Sequence, residues 1–159
     1  MNMYYSTSYS SPLGELLIIS DGKSLTDVSF TDSILKNKKT AADDDLDIFK
    51  KVNQWFDNYF EGSNPRINFT LNPEVSEFRE KVLKIVSEIP YGETMTYGEI
   101  ALRISPAMSA QAVGQAVAAN PIAIIIPCHR VIGRNNQLTG YAAGIDKKAE
   151  LLKLENIEL

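Results

Sequence analysis

Residues 96–121 read TYGEIALRISPAMSAQAVGQAVAANP, and this stretch decides the class of the carboxy-terminal half. Thr96 followed by Glu99 has the spacing of a capping box, which predicts a short helix through Ile100, Ala101 and Ile104. Residues 109–119 give a second helix of small residues, closed by Asn120-Pro121 because proline cannot continue the ladder. Two short helices joined by a tight turn resemble a helix-turn-helix. Plain helix packing leaves the same signature, since Ala and Gly also let helices approach closely, so spacing alone keeps both readings open.

Towards the amino terminus, Phe78, Val82, Leu83, Ile85, Val86 and Ile89 recur at helical spacing and stop at Pro90-Tyr91-Gly92. Before Asn72-Pro73 the pattern is different. Residues 3–9, 15–20 and 25–30 are strand-like, separated by Pro12-Leu13-Gly14 and the hairpin signal Asp21-Gly22, which predicts a small antiparallel sheet. Residues 37–45 are polar and read as an exposed loop. Leu46, Phe49, Val52, Trp55 or Phe56, and Tyr59 or Phe60 then form an amphipathic helix that Gly62 ends, and residues 67–71 add a further strand. The expected fold is α+β: a small amino-terminal antiparallel sheet with a helix over residues 1–72, then a mainly helical carboxy-terminal domain over residues 73–159 containing the helix-turn-helix.

Beyond that motif, residues 123–126 are wholly apolar and read as a buried strand or extended segment that Pro127 terminates. Residues 133–140 form a loop, residues 141–144 a small-residue segment, and residues 146–156 a last helix with Ala149, Leu151 and Leu152 inward.

The 159 residues are 44 % apolar and 23 % charged, which suits folded domains and not disorder. No apolar run approaches the roughly 18 residues of a membrane span, and residues 1–10 lack the basic and apolar regions of a signal peptide, so the protein is expected in the cytoplasm with no membrane partner. One cysteine forms no internal disulfide, and one histidine leaves no cluster for a structural metal. A net charge of −4 argues against binding nucleic acid by bulk electrostatics. The charge is uneven, however: residues 91–145 carry Arg103, Arg130 and Arg134 against Glu93 and Glu99. Contact with DNA should then rely on shape, helix termini and backbone amides.

The single cysteine, Cys128, precedes the single histidine, His129, and Arg130 follows. A thiol with an ordinary pKa of about 8.5 is mostly protonated at neutral pH, so a nucleophilic cysteine needs a base or a nearby cation. His129 and Arg130 are the candidates. Neighbours on a strand face opposite ways, so Cys128 and His129 meet only if the chain turns after Pro127 or a water bridges them.

Ile126-Pro127-Cys128-His129-Arg130-Val131, preceded by Asn120-Pro121 and followed by Tyr141 and Glu155, resembles the active-site signature of the O6-alkylguanine-DNA alkyltransferases. The likeness spans about Phe78 to Glu155. It implies that Cys128 accepts the alkyl group, that His129 activates it through a water, and that Glu155 orients His129. Tyr97 would offer its hydroxyl to the flipped base, and Asn120 would tie the turn between helix and active-site segment. Val131 would lend its carbonyl to the guanine amino group, Tyr141 would wall the pocket, and amides of Tyr141, Ala142 and Ala143 would receive the guanine oxygen. Thr96, Gln111, Ala112 and Gly114 would lie on the DNA-contacting surface together with Arg130, itself mainly structural and bonding backbone near the recognition helix.

The resemblance further implies a ribonuclease H-like amino-terminal domain, no cofactor, and a monomer acting once on double-stranded DNA containing O6-alkylguanine and also O4-alkylthymine. The target base must leave the stack before a thiolate can reach it. Two departures matter. Gln111 stands where the family carries an arginine that fills the gap, and glutamine offers no charged plane for stacking. The cysteine and histidine ligands of a metal site found in some relatives are absent. Two other readings fit parts of the pattern: a cysteine hydrolase or thiol transferase, which needs an oxyanion site, and a lesion-binding protein that holds alkylguanine without chemistry.

Overall fold

The computed structural model describes residues 3–31 and 38–159. The chain divides into two compact units, Met1–Glu74 and Val75–Leu159.

In the first unit, β1 (Tyr4–Ser11), β2 (Gly14–Ser20) and β3 (Ser24–Phe30) form the expected antiparallel meander. Asp21 closes the β2–β3 turn: its Oδ1 accepts from the amides of Lys23 and Ser24 at 2.9 and 2.8 Å. The sheet is mixed, not wholly antiparallel. Thr40–Ala42 form a short strand, β4, parallel to β1, and Thr70–Leu71 form β5, parallel to β3. This corrects the loop expected over residues 37–45, of which Asn37 lies outside the described residues, and shortens the strand expected over residues 67–71.

Helix α1 (Asp47–Phe60) buries Phe49, Val52, Phe56 and Tyr59, while the strands bury Leu16, Ile18, Val28 and Phe30. Tyr9 on β1 lies 5.2 Å from Phe56, ring centre to ring centre, which places the helix on the sheet. Each such side chain contributes roughly 1.5–3 kcal/mol by leaving water.

The second unit is mainly helical. Helix α2 (Glu77–Ser87) starts at Ser76, whose hydroxyl accepts from the Arg79 amide. Strand β6 (Met95–Thr96) leads directly into α3 (Tyr97–Ile104), and both halves of the capping box form: Thr96 Oγ1 accepts from Glu99 N at 3.1 Å and Glu99 Oε1 from Thr96 N at 3.2 Å. Helix α4 (Ala110–Ala118) is capped by Ser109, which accepts from Ala112 N. Val82, Leu83, Val86, Ile100, Val113 and Val117 join α2, α3 and α4 in one core. The close approach of α3 and α4 is visible at Gly114, where an added Cβ would touch the Tyr97 ring at 3.7 Å. No helix among the described residues is long and apolar enough to cross a membrane.

After α4 the chain departs from expectation in conformation but not in burial. Ile122, Ile124, Ile125 and Ile126 are buried, yet they wind through tight turns: Ile125 N donates to Ala123 O and Ile126 N to Ile122 O. Ile124 has φ of 71°, a left-handed conformation that a β-branched residue strongly disfavours. Cys128–Arg130 then form a single 3-10 turn, and β7 (Val131–Ile132) pairs in parallel with β6. The final helix, α5 (Ile145–Leu154), buries Lys148, Leu151 and Leu152. Ala149, expected inward, is exposed; the helix is rotated so that Lys148 occupies the core face.

Candidate active site

The turn begun at Pro127 lets consecutive residues enter two distinct polar clusters. Cys128, 7 % exposed, is held in the first. Asn120, just past the end of α4, donates from Nδ2 to Ile122 O at 3.2 Å, Ile126 O at 3.0 Å and Cys128 Sγ at 3.2 Å. Its Oδ1 accepts from Ile122 N at 3.0 Å. One side chain thus satisfies the backbone of the strained Ile122–Ile126 turn and fixes the sulfur. Burial pushes the Cys128 thiol above its ordinary pKa, opposed by the Asn120 hydrogen bond, the Lys148 charge and a hydrogen bond with the Tyr141 side chain. The resting sulfur is therefore a protonated thiol in surroundings that favour charge once it forms.

The second cluster centres on Glu155, 2 % exposed and one residue beyond α5. Oε2 lies 2.6 Å from His129 Nε2, while Oε1 accepts from Arg130 Nε at 2.7 Å and Gly92 N at 3.1 Å. Gly92 has φ of 82°, the left-handed conformation that glycine adopts without a Cβ penalty, and this aims its amide at the carboxylate. Arg130 Nη1 also donates to Ile89 O at 2.8 Å, and its guanidinium lies 5.7 Å from the Tyr91 ring centre. Burial lowers the His129 pKa despite the pull of Glu155 in the other direction, so the imidazole is neutral at pH 7 and able to take a proton.

Two expectations change here. The cation acting on the sulfur is Lys148, not Arg130, whose charge is directed to Glu155. Arg130 is also only 8 % exposed, so its expected place on a DNA-contacting surface does not fit its position.

Lys148 and Thr139 are the polar residues that the sequence reading missed. Lys148 is 1 % exposed; its Nζ donates to Val131 O at 2.6 Å and approaches Thr139 Oγ1 at 3.5 Å. Burial lowers its pKa to about 8. The Val131 carbonyl, expected to receive a guanine amino group, already has this partner and retains a second lone pair. Tyr97, half-buried, has its hydroxyl 2.8 Å from Thr139 Oγ1. Lys148 was detectable in principle: positions 148, 151, 152 and 155 share one helical face.

The remaining expected residues are exposed or half-buried. Gln111 is exposed and Ala112 half-buried on the first turn of α4, and Gly114 backs onto Tyr97. Thr96 spends its hydroxyl as the α3 cap. Ala142 is exposed and Ala143 half-buried.

A buried protonated thiol, followed in sequence by a neutral imidazole that a carboxylate orients, has the components of a protein that works through a cysteine nucleophile. Comparison with known proteins gives the family. Residues 77–157 match the 6-O-methylguanine DNA methyltransferase DNA binding domain, and residues 3–73 match the 6-O-methylguanine DNA methyltransferase ribonuclease-like domain. The chain is 45 % identical over 159 residues to the methylated-DNA–protein-cysteine methyltransferase of Haemophilus influenzae, covering 99 % of this chain and 89 % of that one. It is 44 % identical to the protein of the same name from Methanosarcina acetivorans, with 96 % and 98 % covered. Its structure is similar to the crystal structure of Mycobacterium tuberculosis OGT in complex with DNA, with a TM-score of 0.86 at 38 % identity, covering 96 % of this chain and 92 % of that one. The chain belongs to the 6-O-methylguanine DNA methyltransferase family.

Proposed function

We propose that the protein repairs DNA directly by moving the alkyl group of O6-alkylguanine, and of O4-alkylthymine, onto Cys128. The observation that carries this reading is the buried sulfur itself, set among Asn120, Tyr141 and Lys148 and next in sequence to a neutral His129 oriented by Glu155.

The thiol proton passes through a water to His129, and Glu155 stabilises the imidazolium that results. The sulfur then displaces the base oxygen from the alkyl carbon: the S–C bond forms, the C–O bond breaks, and the electron pair stays on the departing base. Tyr97 donates a hydrogen bond to the departing base and keeps its proton, and the amides of Tyr141, Ala142 and Ala143 receive the oxygen. Val131 offers its carbonyl to the guanine amino group. The exposed first turn of α4, with Gln111 and Ala112, meets the DNA from which the base has been swung out. One chain supplies every group named, which supports a monomer, and a DNA substrate supports an intracellular, cytoplasmic protein.

A thioether offers no thiolate to regenerate, so each molecule reacts once. Binding without chemistry is disfavoured, because a lesion-holding protein has no need of an acceptor thiol with a base beside it. The test is to incubate the protein with duplex DNA containing O6-methylguanine and weigh it intact. A gain of one methyl group that Cys128→Ala abolishes is expected. Tight binding with unchanged mass, or clearance of excess lesion by substoichiometric protein, overturns the reading.

A further inference from the structure

Between Tyr97 and Lys148 lies a hydroxyl that the mechanism above leaves unused. Thr139 Oγ1 is 2.8 Å from the Tyr97 hydroxyl and 3.5 Å, the outer limit of a hydrogen bond, from Lys148 Nζ. The Thr139 methyl group packs on Gly133 so closely that an added Cβ there would come within 2.7 Å of Thr139 Cγ2. Packing on one side holds the hydroxyl between its two polar neighbours on the other.

Counting donors fixes the Lys148 end of this chain. An ammonium has three hydrogens and no lone pair, so Lys148 donates both to Val131 O and to Thr139 Oγ1. A threonine hydroxyl has one hydrogen. With Lys148 at one of its lone pairs, Thr139 has one hydrogen to give to the Tyr97 oxygen and one lone pair at which to accept from it, so the 2.8 Å contact admits two orders. In the first, Thr139 donates to Tyr97. The Tyr97 hydrogen then stays out of the chain. The opposite order, with Tyr97 donating to Thr139, would leave the phenol only lone pairs to present, and a departing anion needs a hydrogen.

We propose that Thr139 is a positioning residue for alkyl transfer: it passes the donor direction set by Lys148 on to Tyr97, so that the phenol presents its hydrogen to the leaving base. The chain also polarises the phenol, since a hydroxyl oxygen that accepts a hydrogen bond becomes a better donor. This rests on the reading that Tyr97 donates to the base.

The test is the single-turnover rate of methyl transfer from duplex O6-methylguanine DNA to the full-length protein, followed by intact mass. Thr139→Val keeps the shape and removes the hydroxyl; it should slow transfer about tenfold, the size of one directed hydrogen bond. Thr139→Ser should restore the rate to within about twofold, and Thr139→Ala should match Thr139→Val, so a folding defect in one variant does not decide the outcome. Tyr97→Phe should slow transfer at least as much, and adding Thr139→Val to it should slow it no further. Equal slowing by Thr139→Val in both backgrounds, or by Thr139→Ser as much as by Thr139→Val, would mean loop packing and overturns the proposal. A fast Thr139→Val beside a slow Tyr97→Phe overturns it and leaves the Tyr97 reading intact. A Tyr97→Phe protein at the normal rate removes that reading itself.

Discussion

Cys128 and His129 are covalent neighbours, yet they sit in clusters of opposite electrostatic character. Around Glu155 the charges are permanent: a carboxylate with three donors, one of them a guanidinium, is satisfied before any substrate arrives. Around Cys128 the sulfur is neutral at rest, and its neighbours favour a charge that burial forbids. The first cluster is a fixed frame and the second a site held ready. A base oriented by a frame can deprotonate a thiol without itself having to be reorganised, which is the condition for electrostatic preorganisation.

The contrast can be broken at several points. Glu155→Ala should have the largest effect, since it strands the Arg130 guanidinium in the interior; a loss of roughly 3–5 kcal/mol is expected in chemical denaturation, with transfer collapsing alongside. Lys148→Met should separate stability from activity. The Lys148 pKa falls from 10.5 to about 8 on folding, so the unfolded chain binds more protons between those values. The charged lysine therefore weakens the fold by at most about 3 kcal/mol below pH 8, and this penalty fades as pH rises towards 10.5. The raised thiol pKa works in the opposite sense at alkaline pH, because the native state then holds its proton longer. Thermal melting at pH 7 should show Lys148→Met more stable than the parent, while alkylation of Cys128 by iodoacetamide needs higher pH. A lower melting point would show that its bond to Val131 O outweighs the cost of burial.

Asn120→Ala should cost about 2 kcal/mol in urea unfolding, because the Ile122 amide loses its side-chain acceptor and the Ile122 and Ile126 carbonyls each lose one of two donors. It should also slow alkyl transfer, whereas a change at the frame that leaves both Glu155 and His129 in place should not. Smallest of all, Tyr91→Leu removes the ring beside Arg130 and should cost about 1 kcal/mol with the methyl-transfer rate nearly unchanged.

How far these clusters were legible in the sequence depends on what set each conformation. The β1–β3 meander and α1 follow from alternation and helical spacing of large apolar residues, and the α3 cap follows from Thr96 and Glu99, because each is decided by local chemistry. Strands β4 and β5 are two or three residues long and are joined to the sheet through backbone bonds, which leave no side-chain signature. The run at residues 123–126 was readable as buried but not as coiled: the left-handed Ile124 runs against its own propensity and is held by Asn120. The Cys-His-Arg order pointed to the proposed nucleophile and base. It also suggested the wrong cation, because a lysine in the middle of a charged-looking helix reads as solvated until its face is known to be the buried one.

Asn120 has a further consequence. Its amide joins three things that otherwise have no reason to move together: the end of α4, the Ile122–Ile126 turn and the cysteine sulfur. On the proposed reading, an alkyl group added to a sulfur this enclosed would displace that amide, and with it the end of α4. A reacted molecule would then carry a physical record of its reaction at the far end of α4, measurable as a difference between spent and fresh protein in how readily DNA is released.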